Sequence, residues 1–333
     1  MFQKTVSIQK RVNIVQKNVS EPKNKINIYK IGVKLLFTLA LCQSCFGPVE
    51  KEHIPVLWGA RLGGGSADMQ VLGKEFIDIR QKNIGAPAIE LLVQADTATG
   101  LPKINRLSLV YLSRLLPLLQ DGAIPYTLIL THDSAHPLFL NAQPPAEFWF
   151  SQYRQELQQL CKERLSQHPP QNFILGSHFW AVEKEKNRWN ALIDSLKPYF
   201  KGRIGYATVP EAIPLIDFWE KLDLIGIHHP GAIRGEEKKF ARKWHPIITQ
   251  IALRHKKPLM LTQTNLIGPD KLLQLQNRLR FWGNNVAIEG ITINNIAPQT
   301  ALSDTFSQYF GIANDIELQK YLFRLNQLPA HTH

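Results

Sequence analysis

At 333 residues, with 44% of them apolar, the chain is long enough to bury a large core and too apolar to be disordered. Its formal charge of +12 points to an anionic partner only if the excess is spread over the fold. It is not spread, because before residue 35 eight lysines and arginines face Glu21 alone. The remaining surplus is too mild to argue for nucleic acid, and no basic and aromatic nucleic-acid module is visible. Of the three cysteines, Cys161 stands alone in the body of the chain, which excludes a disulfide framework there and any zinc-like cysteine spacing.

The basic leader runs into Leu35-Leu36-Phe37-Thr38-Leu39-Ala40-Leu41-Cys42, followed by Gln43-Ser44-Cys45. A positive n-region, a short apolar run and a small residue before a cysteine are the parts of an export signal. The run is shorter than the roughly 20 apolar residues that span a bilayer. The pattern resembles a loose lipoprotein box with Cys45 as the lipidated residue. Cys42 is the alternative acceptor, disfavoured by the bulk of Leu41. The expectation is an exported bacterial lipoprotein of the cell envelope, held at the membrane by its lipid; a plain export signal, a membrane anchor or a buried helix are the alternatives. Residues 1–45 are then leader and signal, 46–328 one folded domain and 329–333 a tail.

Beyond residue 50 short aliphatic or β-branched runs alternate with longer amphipathic stretches, the pattern of parallel strands with crossover helices. Eight strands are predicted: Pro55 to Arg61, Ile89 to Ala95, Tyr126 to Asp133, Phe173 to Phe179, Arg203 to Ala207, Leu224 to His228, Pro258 to Thr262 and Gly290 to Asn294. Eight is the number that closes an α/β barrel, a single-domain (β/α)8 TIM barrel, with a doubly wound open sheet as the alternative. Helical spacing puts Leu107, Val110, Tyr111, Arg114, Leu115 and Leu118 on one stripe, and Phe148, Tyr153, Leu157, Leu160 and Leu165 on another.

Barrel strands carry their functional residues at the C-terminal tips. In chain order the tips offer Trp58 and Arg61, Asp96, His132 and Asp133, His178, Tyr206, His228 and His229, Gln263, and Asn294 with Asn295. Trp180 follows the fourth tip as an aromatic platform. This is a polar, histidine-rich mouth.

Four stretches then carry a resemblance. Leu175-Gly176-Ser177-His178 is followed by Glu183 and by Asn187-Arg188-Trp189-Asn190. Phe218-Trp219-Glu220-Lys221-Leu222-Asp223-Leu224-Ile225-Gly226-Ile227 comes next, then Lys256-Lys257-Pro258-Leu259-Met260-Leu261-Thr262-Gln263. The strand ending in His132 and the later Phe148-Trp149-Phe150-Ser151-Gln152-Tyr153 complete the set. In order and spacing these resemble the retaining TIM-barrel glycosidases, in particular glycoside hydrolase family 113, the endo-β-mannanases. The resemblance implies an acid/base glutamate where this chain has His178, and a nucleophilic glutamate where it has Gln263.

A retaining glycosidase needs two carboxyl groups roughly 5 to 5.5 Å apart. An amide at Gln263 cannot form the glycosyl ester, and an imidazole at His178 has no carboxylate partner on the seventh predicted strand. The expectation is a catalytically degenerate glycosidase-like barrel that binds carbohydrate or an envelope component through Trp58, Arg61, Asp96, His132, Asp133, His178, Trp180, Tyr206, His228, His229, Gln263 and Asn294. Alternatives are an active hydrolase with displaced catalytic residues, an inverting pair among Asp96 and Asp133, and a protein-interaction scaffold. Glu183 is expected on the loop or helix behind the tip, solvated or capping. A metal-dependent hydrolase built on His132, His178, His228 and His229 with Asp133 is a further alternative, but Val56-Leu57-Trp58-Gly59-Ala60 lacks the paired His-x-His of such enzymes. No metal site and no cofactor are expected. Gly63-Gly64-Gly65-Ser66 is predicted to be a mouth loop, since it lacks the lysine of a phosphate-binding loop.

Overall fold

The computed structural model describes residues 56–62, 86–132, 144–229, 237–265, 270–283 and 287–294, with Glu317, Lys320, Tyr321 and Arg324. The chain divides into two units, Met1–Val49 and Glu50–His333, and every described residue lies in the second. The expectations for Cys42, Cys45, the Gly63–Gly65 loop, Asp133, Asn295 and the tail fall outside the described residues. Among the described residues no helix is long and apolar enough to cross a membrane.

The described residues form nine strands: β1 Val56–Leu62, β2 Ala86–Ala95, β3 Pro102–Ile104, β4 Thr127–His132, β5 Asn172–Ser177, β6 Arg203–Thr208, β7 Leu224–His229, β8 Leu259–Asn265 and β9 Ile288–Asn294. They run β1-β9-β8-β7-β6-β5-β4-β2-β3, and β1 also pairs with β2, which closes the sheet. All eight predicted strands are the barrel staves, paired in parallel. β3 is the additional one, antiparallel to β2 through Val93 opposite Ile104. The sequence offered no strand signal over Pro102-Lys103-Ile104. What makes the hairpin is its turn, where the Asp96 carboxylate accepts from the backbone N–H of Ala98 and Thr99 and Gly100 takes a φ of 68°, a conformation glycine adopts at little cost.

Among the described residues five α-helices pack outside: α1 Arg106–Asp121, α2 Ala146–Leu160, α3 Lys186–Leu196, α4 Glu237–His255 and α5 Lys271–Gly283. Asn105 caps α1 by accepting from the Ser108 N–H at 3.1 Å. The predicted stripe of α1 is corrected. Its buried side chains are Ser108, Leu112, Leu115, Leu116 and Leu119, while Leu107, Val110 and Leu118 are exposed. The helix is leucine-rich enough for two stripes to satisfy helical spacing, and docking on the barrel selects one of them. On α2 the buried face is Trp149, Phe150, Tyr153, Leu157 and Leu160, with Phe148 turned outward.

The strands alternate between two cores, as the pleat requires. Outward residues such as Ile89, Leu91, Leu128, Leu130, Phe173, Leu175, Ile225 and Ile227 join the helices in the main apolar cluster. Ala88, Ile129, Ile174, Ala207, Leu224 and Met260 form a separate layer inside the barrel. Gly226 belongs to that interior. A Cβ there would lie 2.5 Å from the Cβ of Ala207 and 3.0 Å from Cγ2 of Thr262, closer than packed atoms approach. Under the mouth the outer core is aromatic, with Trp149, Tyr153, Trp189, Tyr206, Phe218 and Trp219 all buried. Trp189 stacks on Phe218 at 5.2 Å and meets Tyr206 edge-on at 4.9 Å.

Candidate functional site

Two strands carry an extra residue just below their tips. From Ile174 to Ser177 β5 advances three residues, while β6 advances from Gly205 to Ala207. In β7 Ile227 and His228 are consecutive, yet their partners on β8 are Leu261 and Gln263. Against β9 the step from Leu261 to Thr264 likewise faces the step from Ile291 to Ile293. A bulge of this kind bends the strand and re-aims the side chains beyond it. The two bulges fall at the two positions that the sequence singles out, His178 and Gln263.

In β5 the consequence is visible. A Cβ on Gly176 would come within 2.8 Å of the Phe179 and Tyr206 rings on the outer side, and Ser177 turns toward β7, its Oγ 2.9 Å from Nδ1 of His228. His178 follows with φ at 57°, the left-handed region that costs most side chains roughly 1–2 kcal/mol. Its N–H donates to the carbonyl of Ala207 at 2.8 Å. That bond ties the strained residue to the neighbouring strand.

The His178 ring is oriented by a buried relay. Thr208 Oγ1 donates to Glu183 Oε1 at 2.6 Å. Its single proton spent, it can only accept from His178 Nδ1, 3.1 Å away. Nδ1 is therefore the protonated nitrogen and Nε2 carries the lone pair. Glu183 Oε1 also accepts from Tyr206 Oη at 3.0 Å and lies 3.5 Å from His178 Nδ1. Tyr206 Oη in turn accepts from the Phe179 N–H at 2.8 Å. Burial first, and the Glu183 carboxylate second, hold the Tyr206 phenol well above its usual range.

Two expectations are corrected here. Glu183 is neither solvated nor a cap. The residues after His178 form turns, with the Val182 N–H donating to the Phe179 carbonyl, and these turns fold Glu183 back beneath His178, where it is 7% exposed. Tyr206 is not at the mouth. Its position on β6 faces the outer core and it is fully buried, so it supports Glu183 and cannot touch a ligand. Thr208 did not stand out in the sequence and Glu183 stood out only as an acid behind the tip, because their contact joins a turn to a strand two elements away and leaves no local periodicity.

The remaining tips are placed as follows. His228 is half-buried and its ring lies 6.4 Å from that of His178, tilted by 33°. His132 is half-buried beside Phe179, with ring centroids 6.2 Å apart. Trp180 is 47% exposed. Asp96 serves its own turn, and its carboxyl is held below the usual range by the Thr99 hydroxyl, then by the backbone N–H groups of Thr99 and Ala98. Trp58 is the third residue of a seven-residue strand, below the tip that Arg61 approaches. Gln263 is in register with His228, His229 with Thr264, and Asn294 with Gly59 and Asn265. Among the described residues no group of three or more His, Cys, Asp or Glu could hold a metal ion. Cys161 is buried and free, its thiol pushed up to about 12 by burial, which makes it a packing residue and not a nucleophile.

The sequence model of Glycoside Hydrolase Family 113 matches residues 138–267, a span that contains both His178 and Gln263. The chain resembles a glycoside hydrolase family 113 fold. A solved structure of a GH113 β-1,4-mannanase aligns with a TM-score of 0.66 at 13% identity, over 84% of this chain and 100% of that one. The GH113 β-mannanase of Alicyclobacillus acidocaldarius, in complex with ManMIm, aligns with a TM-score of 0.59 at 14% identity, over 83% and 98%. A β-glucuronidase of Lactobacillus rhamnosus aligns with a TM-score of 0.60 at 14% identity, over 83% of this chain and 50% of that one. At these identities the likeness is one of fold. A search of curated proteins finds no match.

Within the GH113-like barrel, the described carboxylate nearest His178 is Glu183. It sits behind the imidazole, taken up by two hydroxyls, while Nε2 of His178 has no bonding partner among the described residues. What this arrangement can present to a ligand is an oriented imidazole nitrogen, an acceptor when neutral and a donor when protonated.

Proposed function

We propose that this protein binds a saccharide in the cleft of a glycosidase-like barrel and does not cleave it by the retaining route. One observation carries the proposal: the carboxylate beside His178 is buried under the ring, with its Oε1 accepting from both Thr208 and Tyr206. A group in that position cannot approach an anomeric carbon. It orients His178 instead. Asp96, the other described acid at a tip, is spent on its own turn, which counts against displaced catalytic carboxylates. The likeness to β-1,4-mannanases favours a β-linked hexose chain as ligand, with the half-exposed Trp180 as a platform for a sugar ring. The leader pattern ending at Cys45 supports an exported protein held at the membrane of the cell envelope by a lipid.

Calorimetric titration of the full-length protein in detergent with β-1,4-mannotetraose tests the binding. Saturable binding is expected, weakened roughly five- to tenfold in Trp180→Ala by the loss of one stacking contact of ~1 kcal/mol. Release of reducing sugar that disappears in His178→Asn or Gln263→Ala would overturn the non-cleaving assignment. A folded protein that binds no glycan would overturn the saccharide assignment itself.

A further inference from the structure

We infer that the outer face of α4 is a docking surface for an anionic lipid bilayer, a contact separate from the saccharide cleft. Beyond residue 35 the chain carries a net +5, the formal +12 less the +7 of the leader. The 21 residues from Glu237 to Lys257 hold seven lysines and arginines and one acid, Glu237 itself, a net +6. The rest of the fold is therefore close to neutral, and its excess positive charge sits on one helix. The helices α1, α2 and α3 each mix the two signs.

The docked geometry turns that charge outward. Lys239, Arg242, Lys243, Arg254 and Lys256 are exposed, and none of them is in an ion pair with another described residue. Ile247 and Leu253, 38% and 60% exposed, interleave with them at the spacing of one helix face. The opposite side of the helix is buried through Ile248, Ile251 and Ala252. Lys243 Nζ lies 4.4 Å over the half-buried Trp244 ring. Beside α4, with the Trp282 ring 5.2 Å from that of His245, α5 has no acid either and adds the exposed Leu273. Anionic headgroups attract such cations while the interleaved apolar side chains enter the acyl boundary. A soluble polyanion leaves Ile247 and Leu253 in water, and a twofold contact between two copies sets this basic face against itself. Because α4 leaves the mouth after β7 and returns to the far end before β8, docking along it lays the barrel on its side with the mouth open. The contact supplements a lipid at Cys45 and does not depend on one.

Tryptophan emission tests this in the full-length protein, because the first tryptophan is Trp58 and the basic leader contributes none. Vesicles of phosphatidylglycerol with brominated phosphatidylcholine are titrated in at low salt, against vesicles of brominated phosphatidylcholine alone. The expected result is quenching on the anionic vesicles that is lost in Trp244→Phe. The combined variant Arg242→Gln, Lys243→Gln, Arg254→Gln is expected to raise the lipid concentration for half-quenching roughly tenfold or more. Ile247→Ser with Leu253→Ser is expected to raise it roughly three- to fivefold. These side chains are exposed, and a melting temperature equal to the parent's checks that each variant is folded. Equal quenching on both kinds of vesicle, or a triple variant that quenches like the parent, would overturn the inference. So would quenching that survives Trp244→Phe and is lost in Trp180→Phe, since the mouth would then face the bilayer. Polyphosphate binding as tight as vesicle binding, with the serine variant unaffected, would assign the face to a soluble polyanion instead. A parent that is dimeric without vesicles and made monomeric by Leu253→Ser would assign it to a second copy of the chain. Glycan titration tests the saccharide proposal separately, and neither result decides the other.

Discussion

His178 Nδ1 and Glu183 Oε1 lie 3.5 Å apart, joined by the Thr208 hydroxyl that accepts from one and donates to the other. Four residues separate them in the chain, and a turn brings the carboxylate beneath the ring. The pair converts a strand tip into an oriented imidazole.

Glu183 accepts two buried hydroxyl donors, so deleting the carboxylate strands both. Glu183→Ala is expected to destabilise the protein by about 3 kcal/mol, and Thr208→Val by about 1 kcal/mol, with the double variant less damaging than the sum. Urea denaturation of the four proteins measures the coupling. Strict additivity would show that the relay is not a unit.

Gly226 has no room for a methyl group between Ala207 and Thr262. Gly226→Ala is expected to cost about 2 kcal/mol, in the range of overpacked cores. A melting temperature equal to that of the parent would contradict the tight interior packing of the barrel.

Trp189 is fully buried, stacks on Phe218 and donates its Nε1–H to the Val182 carbonyl at 2.8 Å. Because Val182 lies in the same chain reversal as Glu183, the indole links α3 to the floor of the site. Trp189→Ala is expected to cost about 3–5 kcal/mol and Trp189→Phe about 1–2 kcal/mol. Chemical denaturation that ranks the two variants the other way would refute this role.

Alkaline pH should unfold the protein through groups that burial keeps protonated. The Cys161 thiol is pushed up to about 12 from 9.0, and the Tyr153 and Tyr206 phenols stand well above 10.0, burial being the largest cause in each. Their native-state pKa values are raised, so their stability contribution is complete below the unfolded values and is lost as pH rises through the folded ones. From about pH 9 upward the unfolded chain releases protons that the native state keeps, and stability falls. Above about pH 10 Tyr206→Phe is expected to shallow that fall by about 1.4 kcal/mol per pH unit. A slope identical to the parent's in urea titrations would show that Tyr206 ionises freely in the native state.

Much of the barrel was legible before any coordinates. Each stave is a run such as Thr127-Leu128-Ile129-Leu130 or Leu224-Ile225-Gly226-Ile227, apolar on both faces because one packs the interior and the other the helices. The hairpin strand β3 escaped notice because three residues that include a proline carry no alternation. The docked face of α1 was misread for a related reason: Leu107, Val110 and Leu118 satisfy helical spacing as well as Leu112, Leu116 and Leu119 do.

The site was legible in outline only. His178, His228 and Gln263 could be placed at strand tips by counting along apolar runs. Tyr206 was placed there by the same counting and proved to face the core, because a strand reverses its side chains at every residue and counting to a tip does not say which face a side chain takes. Glu183 lay in plain sight as an acidic residue after a strand, and nothing local distinguished it from a solvated one.

By itself the sequence determined the barrel, its eight staves and the identity of the residues at two decisive tips, since hydrophobic burial acts through periodicities written along the chain. Only the tertiary structure decided where the last carboxylate went. The bulge below Ser177, the left-handed turn at His178 and the hydroxyls of Thr208 and Tyr206 arise from contacts between strands and turns distant in sequence. Those contacts place Glu183 behind the imidazole.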